Sequence, residues 1–126
     1  MSQNEELIYY SLHPTDRFND DVKYYIKSKK FTRLPKDIED IKNDLINGIF
    51  NGKIIGDLDL DENTVAYKIR AKNSNTNVGK SNGYRLIYLV EKNDKVVFLV
   101  TIYYKKDDNN IPSDSEIKQL IKKYCT

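Results

Sequence analysis

The sequence predicts an α+β domain, with one small antiparallel sheet and helices packed on it. Three observations predict it. Residues 65–104 hold three runs in which side-chain character alternates with period two, the signature of strands. Residues 15–49 and 113–124 instead repeat their apolar side chains at intervals of three and four, the signature of helices. The 126 residues suit one domain, 1–126, with a single modest core.

The elements follow in chain order. Glu6–Leu12, ELIYYSL, is short, apolar and aromatic and reads as a first strand. Pro14 stops it, and Thr15 or Asp16 can cap a helix. In that helix Phe18, Val22, Tyr25 and Ile26 fall on one face. Pro35 opens a second helix at a first-turn position, and Asp37, Glu39 and Asp40 suit the positive end of its dipole. Its stripe is Ile38, Ile41, Leu45 and Ile49, and Gly48 or Gly52 ends it. Residues 50–64 read as a connecting loop, with a short strand at Lys53–Ile55. Val65–Lys72, Tyr84–Glu91 and Val96–Tyr104 are three strands, the last two joined by a tight hairpin at Lys92-Asn93-Asp94. The third is nearly continuous in apolar residues, which places it centrally. Ser113 and Glu116 have capping-box spacing for a closing helix whose stripe is Ile117, Leu120, Ile121 and Tyr124. The order is β-α-α-β-β-β-α, and the first strand must join the meander to pair its backbone.

The net charge of +2 conceals a strong asymmetry. Residues 1–66 carry nine Lys/Arg and thirteen Asp/Glu, whereas residues 67–106 carry nine Lys/Arg and two acids. The positive charge therefore sits on the sheet, and a one-signed patch of this kind suits a polyanion, nucleic acid first. No apolar run is long enough to cross a bilayer, and the opening MSQNEEL is too acidic and polar for a secretory signal. The lone cysteine, Cys125, excludes an internal disulfide framework and fits a reducing, cytoplasmic setting.

Several motifs carry no chemistry. Gly79-Lys80-Ser81 lacks the earlier glycine of a phosphate loop, having Ser74 there, and a strand follows instead of a helix. Asn82-Gly83 is better read as a turn that relieves the backbone entering the Tyr84 strand. His13 has no partner ligand, so no metal is expected. Asp57, Asp59 and Asp61 alternate without the glycine and glutamate of a calcium loop. Cys125 has no base beside it.

What remains is basic. Lys68, Arg70 and Lys72 alternate with Tyr67, Ile69 and Ala71, which puts three cations on one face. Arg85 starts the next strand in apolar company, and a buried guanidinium is costly without an anion. Lys105 and Lys106 follow the third strand beside Tyr103 and Tyr104. Such a set can cleave RNA without a histidine, because the 2′-hydroxyl is an internal nucleophile. Clustered cations stabilise the phosphorane and lower one another's pKa for proton transfer.

The segment VAYKIRAKN…GKSNGYRLIYLVEKNDKVVFLVTIYYK resembles the sheet of the RelE/ParE superfamily of type II toxins, and most of all its HigB/RelE-like branch. A YKIR strand, a GYR-hydrophobic-IY strand and an IYxK strand end occur there in this order. The resemblance implies a cytoplasmic, metal- and cofactor-independent mRNA endonuclease acting at the ribosome, neutralised by a cognate antitoxin, often of helix-turn-helix type. It assigns Lys68 and Arg70 to RNA-backbone binding and proton transfer, Arg85 to the scissile phosphate, and Lys105 to the position of the general acid. The late tyrosine of RelE-type members falls near Ile111, so Tyr104 or Tyr103 is the substitute. Lys72, Lys80, Tyr103 and Lys106 are left as RNA contacts. The alternatives are a ParE-like gyrase inhibitor without nuclease activity, or an inactive RNA-binding member.

Overall fold

The computed structural model describes residues 9–77 and 79–125. Its elements are β1 (Ser11–Pro14), α1 (Asp16–Lys27), α2 (Leu34–Asp37), α3 (Glu39–Ile46), β2 (Lys53–Ile54), β3 (Thr64–Ala71), β4 (Tyr84–Glu91), β5 (Val96–Tyr104) and α4 (Asp114–Tyr124), with short 3-10 turns at Lys80–Asn82 and Asp108–Asn110. Five strands form one sheet in the order β1-β5-β4-β3-β2. The α+β class is therefore seen, as is the β3-β4-β5 antiparallel meander. Among the described residues no helix is long and apolar enough to cross a membrane.

Four expectations need correction. The sheet is mixed, because β1 lies parallel to β5 with Ser11 opposite Val96. The direction follows from the chain that leaves β1. Thr15 caps α1 and donates its hydroxyl to Leu99 O and Val100 O at 3.0 and 2.9 Å. α1 then runs along β5 until Tyr25 Oη accepts from the Tyr104 N–H at 2.9 Å. Hydrophobic alternation marks strands but carries no direction. The strand assigned to residues 6–12 is seen at Ser11–Pro14, and residues 6–8 lie outside the described residues. The helix expected from Pro35 to Ile49 is broken at Ile38, which has φ −107° and ψ 4°. Its side chain is buried, while Ile49, expected in the stripe, is exposed beyond the helix end. The hairpin loop has four residues, 92–95, and Lys95 takes positive φ.

Each face of the sheet has its own core. The inner face, under α1–α3, buries Tyr84, Leu86, Tyr88, Leu99 and Ile102 against Phe18, Tyr25, Leu34 and Leu45. The outer face buries Ile87, Leu89, Val100 and Tyr103 against Ile117 and Ile121 of α4 and Leu58 of the loop before β3. β4 sits between them, and all of its residues but the last are buried. A register shift between Ile87 and Tyr88 bends β5. There Asp21 of α1 accepts from the Thr101 hydroxyl and from the Ile102 N–H at 3.1 Å. Burial raises the Asp21 pKa, against the pull of these bonds and of Arg17.

Candidate nucleic-acid interface

Register decides which cations meet. Arg70 is directly opposite Arg85, and Arg85 is directly opposite Tyr103. Residues opposed across a ladder share a face, so Arg70, Arg85 and Tyr103 form one lateral row on the outer face. Lys68, opposite Ile87, stands on the same face one step along. Lys105 follows the end of β5, where its N–H bonds Gly83 O at 2.9 Å.

Arg85 is only 7% exposed, as its apolar neighbours require. The expectation that its burial calls for an anion is answered differently. Its guanidinium donates to three backbone carbonyls, Lys80 O at 3.1 Å, Tyr84 O at 3.2 Å and Ser81 O at 2.9 Å. Lys105 Nζ adds a fourth donor, also to Ser81 O, at 3.1 Å. Two cations therefore bind the 3-10 turn that carries Lys80. Burial lowers the Arg85 pKa, and the charge of Arg70 lowers it further. Burial raises the Tyr103 phenol, with Arg85 pulling the other way.

The turn is fixed from below as well. A Cβ on Gly83 would lie 2.0 Å from Ala71 O, so only glycine lets the two backbones approach this closely. The loop between β3 and the turn is tied to α2. Ser74 N–H donates to Asp37 Oδ2 at 2.9 Å, and Arg33 N–H donates to Asn75 Oδ1 at 2.8 Å.

The two adjacent tyrosines separate. Tyr103 stays in the row with Arg85, buried at 5% exposure. Tyr104 turns to the inner face, where its ring meets Tyr84 and Phe31 and its hydroxyl reaches Thr76 Oγ1 at 3.4 Å. Tyr104, the expected catalytic tyrosine, is thus held across the sheet from Lys68, Arg70 and Arg85. Lys72, Lys80, Lys105 and Lys106 are exposed at this end of the sheet.

An unforeseen cleft of about 600 Å³ runs along the outer edge of β3. β2 pairs β3 only at Tyr67 and Lys68, so Ile69–Ala71 has no strand outside it. Lys53, Lys68, Arg70, Lys72 and Lys80 line one side, and Asp37, Asp40 and Asp44 the other. The sequence did hold a signal for the acidic wall. Asp37, Asp40 and Asp44 recur at helical intervals, but acids near a helix start also read as dipole partners.

Chemically, the row concentrates positive charge, and the cleft holds its cations unpaired with the acids of the facing wall among the described residues. Ion pairs among the described residues are Arg17–Asp21 and Lys118–Asp59, and neither involves these cations. No His/Cys/Asp/Glu cluster suited to a metal occurs among the described residues. His13 is exposed on β1 with its ring 5.8 Å from Phe98, and the Cys125 thiol is pushed up to about 12 by burial, far from a nucleophile's range. No protein-family model matches the chain, and no curated protein matches it in sequence.

Proposed function

We propose that this protein is an endoribonuclease of the type II toxin kind, cleaving mRNA at the ribosome and held in check by an antitoxin. One observation carries the reading. Arg70 and Arg85 face each other directly across two strands, and neither forms an ion pair with a carboxylate among the described residues. Like charges so placed repel, and a phosphodiester is the ligand that turns the repulsion into attraction.

The chemistry asks little more of the protein. The RNA 2′-hydroxyl gives its proton to a solvent base as its oxygen bonds the adjacent phosphorus, and the bond to the 5′-oxygen breaks as that oxygen takes up a proton. Negative charge gathers on the non-bridging oxygens, where Arg70 and Lys68 are free to donate. Arg85 has three N–H groups committed to carbonyls, so its part is to hold the Lys80 turn and keep the site positive. Lys105 stands beside it at the strand end, where a proton must reach the leaving oxygen. Tyr103 is the phenol on the reacting face. Five cations around the cleft supply charge stabilisation without a metal ion.

A second reading has its own support. Arg85 spends most of its donors internally and Tyr104 is on the wrong face, which favours a binder without chemistry, a gyrase inhibitor or an inactive RNA-binding member. The test is 5′-end mapping of a defined mRNA incubated with the protein, with and without programmed ribosomes. Codon-phased cuts seen only with ribosomes, and lost in Lys68→Ala/Arg70→Ala, support the nuclease. No cuts from folded protein, together with inhibition of gyrase, overturn it in favour of the second.

A further inference from the structure

The cleft beside β3 holds charges of both signs and keeps them apart. The cations stand on the β3 side and the carboxylates on the α2–α3 side. No ion pair crosses between them among the described residues. Ile41 and Ile69 line the space as apolar surface. Of the acids, Asp37 is 8% exposed and already accepts from Ser74 N–H. Asp40 and Asp44 accept no side-chain hydrogen bond from the described residues and remain accessible. Behind Asp37, hydrogen-bonding capacity is unmet. Asn73 Nδ2 and the Tyr84 hydroxyl are buried with no partner among the described residues, and burial, then the charge of Asp37, opposes ionisation of that tyrosine.

We propose that the acidic wall reads the base of the nucleotide whose phosphate the cationic wall holds, and that it selects guanine. An ionised carboxylate only accepts hydrogen bonds. Guanine alone presents two adjacent donors, N1–H and N2–H, on its Watson–Crick edge. Adenine and cytosine put a ring nitrogen acceptor beside their amine, and uracil flanks its single N–H with carbonyls. Asp40 or Asp44 therefore forms a bidentate pair with guanine alone, and the other three bases offer it a single donor beside a repelling acceptor. The flat faces of the base meet Ile41 and Ile69, and a space of about 600 Å³ falls in the range of small-ligand sites. The substrate class rests on the nuclease reading above, whereas the base preference is a property of the cleft.

Equilibrium binding of GMP, AMP, CMP and UMP to the whole protein tests this without requiring cleavage. GMP binds at least about tenfold more tightly than the others, a difference of one good bidentate pair. Asp40→Asn/Asp44→Asn, two surface changes that conserve shape, bring GMP to the level of the rest. Arg70→Ala weakens all four by a similar factor, about tenfold, and leaves the order intact. Equal affinity for the four nucleotides, or an unchanged guanine preference in the double variant, overturns the proposal. Guanine preference in a protein that cuts no RNA upholds it and removes the nuclease reading. Cleavage by a protein with no base preference does the reverse.

Discussion

The two faces of the sheet satisfy their polar groups in opposite ways. On the inner face the polar anchors are spent on the fold, the buried Tyr84 hydroxyl excepted. Asp21 holds the β5 bulge, Thr15 caps α1 while donating to β5, and Tyr25 fixes the Tyr104 N–H. Its aromatic rings contact one another through Tyr25, Phe31, Tyr84 and Tyr104. On the outer face the apolar layer under α4 gives way, toward the Arg85 end, to cations. Arg85 and Lys105 turn inward to carbonyls, and Lys68 and Arg70 have no ion-pair partner among the described residues. One face is closed chemistry and the other is open. Stability and function should therefore separate by face.

Substitutions can break that division. Tyr25→Ala on the inner face removes a ring at 1% exposure and the acceptor of the Tyr104 N–H. It should cost about 3–5 kcal/mol, read as a shift in the denaturant midpoint. Arg85→Ala sits on the boundary. Its loss should cost about 1–3 kcal/mol through the released Lys80, Ser81 and Tyr84 carbonyls, and it should also abolish cleavage. Arg85→Lys retains charge but not the three-way donation, so rescue of activity without rescue of stability would show that charge is its functional part. Arg70→Ala is exposed and should change stability by no more than about 0.5 kcal/mol. It should slow RNA cleavage by roughly 10- to 100-fold, the loss of one charged hydrogen bond. If Arg70→Ala unfolds the protein as readily as Tyr25→Ala, the two faces are not separable.

The smallest effect concerns pH. Burial raises the Asp21 pKa above its ordinary 3.8, so the native state binds this proton more tightly than the unfolded chain. The contribution of Asp21 is then fully present below pH 3.8 and declines as pH rises through the raised native value. Asp21→Asn should flatten the stability profile over that window and leave the cationic face as it was. A slope unchanged by the substitution would place the titration elsewhere.

Local pattern made much of this legible. Residue type leaves Thr15 and Asp16 as caps of α1 and spacing marks Ser113 for α4; Thr15 and Ser113 accept the N–H groups of Phe18 and Glu116. Alternation put Lys68 and Arg70 on one face, and Gly83 was identified as a backbone relief. What escaped depends on contacts distant in sequence. Pairing of Ser11 with Val96 fixes the direction of β1, and nothing near Ser11 encodes it. The carbonyls that receive Arg85 belong to backbone, which has no residue type to read. Alternation puts Tyr103 and Tyr104 on opposite faces, but only the register of β5 shows which of them joins Arg85. The cleft arises because β2 begins only at Lys53, opposite Lys68, which leaves Ile69–Ala71 uncovered, a boundary that the loop sequence does not announce.

The pairing of β1 with β5 also sets an order of events during synthesis. Thr15 donates to Val100, 85 positions later, so the first strand and α1 have no sheet to join until β5 has left the ribosome. At 5–20 residues per second that wait is roughly 4–17 s. Until then the apolar stripe of α1 is without its partner, and a chain released before about residue 100 cannot complete either core. The protein should accordingly appear all at once, as a late and cooperative collapse, and fragments that stop within β5 should be degraded rather than accumulate.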